Sequence, residues 1–440
     1  MMRLPRPAPA LVAALAGMAP VAPLAAQASA PPLAAQAVSP PPPELPPRRS
    51  AVPEWQIGDD WSLKLRGRIN HDVAAISAPG GLPAGTVPQG IAVQTRRLRL
   101  GVEGDGPDGL SYKGELELSG NRVRAVDVAL TFRASRTAPV EFTIGHIEPL
   151  NGHEQIASSR YTSTIERGAY NEAFSNIRRS GAYLTIIPPG ADLRVSAGLF
   201  ADTVNSGGGV RPLTLATRTV WAPRVRGVQL HIGANAAWRR YRDGGSAFAL
   251  SARPFAGILD ARLLGTGRLA AVSDLTLGAE FIAIAGPFHL IAEGQHLGLR
   301  TLRAGTAPGL AAGAIRPGFD PHFAGMIAEI GWSLTGESRG YRDGLWARTR
   351  PRRPLGRGGI GALAINLRYD LLDLNDAGGN ARIAGGRQQG HIAALVWQPT
   401  DHLRFTVQYA RGRIDGGPLA RPDRPGFGFD VMALRTAWDF

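Results

Sequence analysis

From Trp55 to Phe440 the chain is written with a period of two, and that alternation limits what it can become. Trp61, Leu63, Leu65 and Ile69 oppose Lys64, Arg66, Arg68 and Asn70; Leu98, Leu100 and Val102 oppose Arg97, Arg99 and Glu103; Tyr112, Leu116 and Leu118 oppose Lys113, Glu115 and Glu117. The same pattern returns at Leu193/Val195/Ala197/Leu199, Val228 to Trp238, Met326 to Leu334, Leu363 to Leu371 and Leu403 to Tyr409. It returns a last time in the final ten residues, where Met432, Leu434, Thr436, Trp438 and Phe440 share one face. Successive side chains of a strand point to opposite faces, so each segment reads as a strand with one apolar and one polar face. A soluble sandwich also alternates. The distinguishing feature is a charged opposite face on strand after strand, with no helical segment between them and with Gly/Pro/Asp turns such as Gly104 to Gly109 and Pro188-Pro189-Gly190. This predicts an all-β, antiparallel transmembrane barrel of roughly fourteen to eighteen strands with an aqueous lumen.

Composition agrees with that reading. Of 440 residues, 44% are hydrophobic and none is cysteine, which excludes disulfides and thiolate metal sites. Beyond the first thirty residues no apolar run is long enough for a transmembrane helix. Residues 1–28 combine Arg3 and Arg6, an apolar stretch and Ala26-Gln27-Ala28, the pattern of a cleaved secretory signal peptide. Residues 29–56 are Pro- and Ala-rich without periodicity and read as a disordered periplasmic leader; 57–440 is the barrel. Basic residues outnumber acidic ones by 49 to 35, a net charge of +14, and Lys64 and Lys113 are the only lysines. Guanidinium stays charged and offers planar, forked donors, so the excess points to an anionic partner.

Two spellings of enzyme motifs fail on context. Gly336-Glu337-Ser338-Arg339-Gly340 has the form of a nucleophile elbow, but Tyr341-Arg342-Asp343-Gly344 follows it as turn chemistry where a helix is required. Gly356-Arg357-Gly358-Gly359-Ile360-Gly361 leads into a strand and not a dinucleotide-binding helix. His153-Glu154 lacks the second histidine of a zinc helix. The clusters Arg239-Arg240 and Arg348 to Arg353 suit lipopolysaccharide phosphates, periplasm or a pore mouth better than nucleic acid. Neither an enzyme nor a nucleic-acid partner is predicted.

Several ordered stretches resemble the phosphate- and pyrophosphate-selective porins, the porin O and P family. They are Thr95-Arg96-Arg97-Leu98-Arg99-Leu100-Gly101-Val102-Glu103-Gly104, Ile144-Gly145, Ala157-Ser158-Ser159-Arg160-Tyr161 and Ile165-Glu166-Arg167. Trp221-Ala222-Pro223, Trp332 to Glu337, Leu367 to Asp376 and Trp397-Gln398-Pro399 continue the resemblance. It implies sixteen strands, a homotrimer, an inward-folded loop near Gly152 to Asn171, and passive diffusion of phosphate, pyrophosphate or similar small anions across the outer membrane, with no cofactor. The residues matching the family's constriction are Arg96, Arg97 and Arg160, with Glu117 as a nearby acid; Arg160 stands where lysine is common. Arg253 is a further candidate for a basic path. By parity Arg96 falls on the face opposite Arg97, and for it pairing with a carboxylate at a strand edge stands as the alternative to lining the pore. A weakly selective general diffusion porin on the same fold is the alternative.

Overall fold

A computed structural model describes residues 52–88, 90–133, 139–174, 177–206, 213–241, 246–303 and 313–440. The predicted signal peptide and all but the end of the predicted leader lie outside these residues. Sixteen strands form the wall: β1 (Trp61–Ser77), β2 (Ile91–Asp105), β3 (Leu110–Glu117), β4 (Arg124–Phe132), β5 (Val140–Ile147), β6 (Arg179–Ile186), β7 (Leu193–Phe200), β8 (Leu213–Trp221), β9 (Val228–Arg240), β10 (Leu269–Ala285), β11 (Phe288–Thr301), β12 (His322–Ser333), β13 (Ala362–Gly378), β14 (Ala381–Gln398), β15 (Leu403–Asp415) and β16 (Gly426–Asp439). Each pairs antiparallel with its neighbours in sequence, and β16 pairs with β1 from Arg68↔Asp439 to Ser77↔Asp430. The sheet is closed and antiparallel, as the alternation predicted. Closure also leaves no unpaired edge. The end of the predicted leader is ordered: Glu54–Ile57 pairs with the start of β1.

Burial follows the sequence parity. Ile69, Leu100, Leu116, Leu130, Ile144, Leu184, Leu199, Leu215, Leu277, Ile330, Leu367, Val407 and Leu434 are exposed on the outside. Their neighbours Arg68, Glu115, Asp127, Glu280, Glu329, Arg368 and Arg435 are buried inside. The aromatics gather at one end of the wall, the end that carries the chain terminus: Trp61, Phe132, Trp221, Phe288, Trp332, Trp397 and Trp438 are all exposed there. Phe288 stacks on Trp332 and Trp397 on Phe405, with centroids 5.8 and 5.3 Å apart. Amphipathic rings in a band at a barrel rim mark a membrane interface.

Most connections at this terminal end are short, as in Gly286-Pro287 between β10 and β11. The 28-residue stretch 334–361 between β12 and β13 is the exception, and it folds inward. Its hairpin, Tyr341–Arg342 against Leu345–Trp346, turns through Asp343 and Gly344, both with positive φ (54° and 78°). That is the turn chemistry read from Tyr341 to Gly344.

Candidate functional site

Residues 148–174, between β5 and β6, run into the barrel as predicted, with two short helices, α1 (His153–Ile156) and α2 (Ala169–Phe174). Entry depends on Gly152, at φ 103°, where an added Cβ would stand 2.4 Å from Glu293 Oε1. The wall then holds the loop through its backbone. Glu293 accepts from Glu154 N at 2.8 Å, Asp370 from Ala169 N at 3.0 Å and Gln408 from Ile165 N at 2.9 Å. Arg368 bridges the Glu154 and Glu329 carboxylates at 2.9 and 2.8 Å. Buried charges of this kind persist where they are paired and hydrogen-bonded.

Between this loop and strands β1 to β4 lies a cavity of about 270 Å³. Arg66 and Arg68 enter it from β1, Arg97 and Arg99 from β2, Lys113 from β3, Arg160 and Arg167 from the inward loop, Arg178 from the approach to β6 and Arg342 from the inward hairpin. The lining itself holds three carboxylates, Glu103, Glu115 and Asp127, beside these nine cations. Glu115, with its side chain 1% exposed, is shared by Arg66, Arg68, Arg99 and Arg160 at 3.5, 3.3, 3.2 and 3.6 Å. Asp127 pairs with Lys113 and, at 2.6 Å, with Arg178, which also reaches Glu148 at 2.7 Å. The cations therefore share carboxylates or reach ones outside the lining, as Arg97 does with Glu166 and Arg160 with Asp439, and among the described residues Arg167 alone of the nine has no carboxylate within 4 Å.

Of the predicted site residues, Arg97 and Arg160 line the cavity; Arg96 and Glu117 do not. The face assigned to Arg96 by parity is corrected. Asn70 pairs with Arg97 and His71 with Thr95, so Arg96 is the extra residue of a β-bulge. A bulge re-aims side chains. Arg96 and Arg97 therefore both turn toward Glu166 of the inward loop, at 3.1 and 3.9 Å. A carboxylate partner of Arg96 does exist, but inside the barrel. Burial works against the charge on Glu166, yet Arg96, Arg97 and Arg435 outweigh it and hold its carboxyl at about 2. Glu117 is the second correction: it sits beyond the cavity, accepting from Arg99 Nε at 2.6 Å and Leu98 N at 2.9 Å. The acid at the centre is Glu115, two residues earlier on the same face.

Arg66, Arg68, Arg99, Arg167 and Arg178 were not among the residues expected at the site. For the first three the signal was present, since they sit on the polar face of strands read correctly; for Arg167 and Arg178 no periodicity exists to reveal them. Arg253 pairs with Glu172 of α2. Of the two arginine clusters, Arg239 turns inward to Asp274 at 2.8 Å, and Arg348 reaches Asp439 at 3.0 Å. Among the described residues no group of three or more histidines and carboxylates is arranged to hold a metal ion.

Comparison with known proteins places these features in context. A model of the family described as "Phosphate-selective porin O and P" matches residues 63–440. An uncharacterised protein of Caulobacter vibrioides is 37% identical over 404 residues, covering 88% of this chain and 76% of the relative. Porin O of Pseudomonas aeruginosa is 25% identical over 403 residues, covering 84% of this chain and 87% of the relative. Among solved structures, the anion-selective porin from Comamonas acidovorans superposes with a TM-score of 0.51 at 12% identity, covering 86% of this chain and 100% of that one. OmpT of Vibrio cholerae, in its trimer form, gives 0.51 at 10% identity, covering 87% and 100%.

Proposed function

Since the chain belongs to the phosphate-selective porin O and P family, we propose that it is an outer-membrane porin passing phosphate, pyrophosphate or similar small anions passively, with the arginine-lined cavity as its filter. The observation that carries this is the cavity's lining, nine cationic side chains and three carboxylates, with one of those carboxylates, Glu115, shared by four arginines. Two unit charges ~4 Å apart attract by about 1 kcal/mol in water and about 4 kcal/mol at an effective dielectric near 20. Guanidiniums lining a narrow, protein-walled space therefore replace much of the hydration an anion loses on entry. Conduction also requires release, which favours several shallow contacts over one deep site. Glu115 serves that need: by sharing four arginines it weakens their hold on a passing anion.

Short turns face the periplasm in barrels of this class, which puts the aromatic end and the inward hairpin on the periplasmic side. The remaining parts of the reading follow from the same assignment. Residues 1–28 direct export and are cleaved, the outer apolar band meets lipid and lipopolysaccharide, and three copies assemble, as OmpT does in its trimer form. No chemical step occurs, so no catalytic residue is assigned.

Single-channel recording in a planar bilayer tests the proposal. Chloride current is expected to be anion-selective and blocked by phosphate; Arg97→Ala combined with Arg160→Ala is expected to weaken both the selectivity and the block. Cation selectivity overturns the anion reading, and an anion current indifferent to phosphate leaves a general diffusion porin. An unchanged double variant moves the filter elsewhere in the lumen.

A further inference from the structure

A second group of cations adjoins the filter across Arg160 and Tyr161, where the inward loop, the 334–361 segment and the wall strands β13 and β15 meet. Arg339 and Arg404 both line a pocket of about 60 Å³ here. Their donors end on neutral oxygens. Arg339 Nη1 donates to Ser163 Oγ at 2.9 Å and its Nη2 to Tyr161 O. Arg404 Nη1 donates to Arg160 O at 2.9 Å and its Nη2 to Thr162 O. Among the described residues neither guanidinium has a carboxylate within 4 Å, whereas Arg160, which also borders the pocket, has Asp439 at 3.3 Å. The pocket's own acid, Glu337, is already occupied by Ser333 Oγ, Thr335 Oγ1 and Arg352 N.

Two half-buried cations without an anion are costly, because charges drawn out of water are tolerated when paired. A second observation points the same way. Asn366 is 1% exposed and lines the pocket, yet neither its amide nitrogen nor its oxygen has a hydrogen-bond partner, and Arg404 Nε also lacks one. Buried polar atoms in native proteins are nearly always satisfied, so unpartnered donors converging on a small space are unusual. At roughly 10–15 Å³ per water, the space suits about four to six waters or one small oxyanion. Burial brings Arg339 down to about 10, which leaves it charged at neutral pH.

We propose that Arg339, Arg404 and Asn366 form a binding site for a resident small oxyanion of phosphate size, which neutralises the junction and fixes the 334–361 segment to the inward loop. The site borders the filter at Arg160 but is built from residues outside the filter's lining, and it rests on the porin reading only in that anions must reach the lumen.

The test is thermal unfolding of the detergent-solubilised barrel, titrated with inorganic phosphate at constant ionic strength. A ligand bound to the folded state raises the unfolding temperature with its concentration. Wild-type protein and Arg68→Gln, a filter variant, are expected to show that rise. Arg339→Gln and Arg404→Gln are expected to show at least a tenfold weaker phosphate dependence while keeping anion selectivity in the bilayer. Asn366→Asp is expected to supply the missing negative charge, raising the unfolding temperature in phosphate-free buffer and abolishing the response. The proposal is overturned if wild type does not respond, if the response survives in Arg404→Gln, or if Asn366→Asp still responds fully. Should the glutamine variants not fold, the aspartate variant decides. Failure of the porin reading would appear separately, as cation selectivity of the wild type.

Discussion

On the proposed function, one carboxylate, Glu115, sets how firmly the cavity can hold an anion. Four guanidiniums lie within 3.6 Å of it, so it stands where a transported anion would otherwise sit. Glu115→Gln keeps the shape and removes the competitor. Phosphate block is then expected at about tenfold lower concentration, a difference of about 1.4 kcal/mol, together with a lower chloride conductance because release slows. Dose–response curves of block on single channels check both. Glu117→Gln, whose carboxylate lies outside the cavity, should leave the block near wild type. Residues at this scale were legible where parity held. Arg97 could be placed from sequence; Arg96 could not, because a bulge shifts parity by one residue and leaves no mark on the pattern. Glu115 and Glu117 share a face, and only the depth of the inward loop separates their roles.

The inward loop is held by ionic contacts whose pH dependence can be worked out. Glu166 is held at about 2 against an ordinary value of 4.5. A depressed carboxyl stabilises its folded position fully above 4.5, and that contribution fades as pH falls through about 2. The loop is therefore expected to keep its protection from proteolysis from about pH 7 down to about 4.5 and to lose it progressively between about pH 4.5 and 2. Glu166→Gln should show the low-pH behaviour at neutral pH, measured by the rate of protease nicking near residues 160–168. At this scale the wall strands were legible and the connections less so. The resemblance to known porins supplied the loop between β5 and β6. Nothing revealed that 334–361 also turns inward, because its Gly-, Pro- and Arg-rich spelling matches that of an exposed turn. Contacts such as Trp346 N to His153 Nε2 at 3.2 Å and Tyr341 Oη with His231 Nδ1 at 2.7 Å join residues far apart in sequence.

The molecule as a whole divides its chemistry by parity, apolar residues outward and ionic residues inward, and that division is legible in the alternation alone. Sixteen strands fall within the range that segment spacing allows. Closure is the feature that depends on all of them. Gly67 of β1 exchanges two backbone hydrogen bonds with Phe440, each 3.1 Å, and a Cβ at Gly67 would lie 2.4 Å from the Phe440 ring. Gly67→Val is therefore expected to displace the terminal ring and weaken the seam, lowering the temperature at which the heat-modifiable gel band converts to the unfolded mobility. Leu395→Val, an outward apolar exchange distant from the seam, should leave that temperature almost unchanged.

That seam also fixes an order of events. The residues that zip the wall shut come from the two ends of the barrel sequence, so their encounter is the most entropically demanding contact in the molecule. Neighbouring hairpins joined by brief connections can form early, but β1 waits with one side unpaired until the last strand is delivered. During that wait an open sheet is vulnerable to pairing with a foreign strand. Folding time, and the hazard of going astray, should accordingly be concentrated in this final step, and Phe440 is among the last residues to be placed.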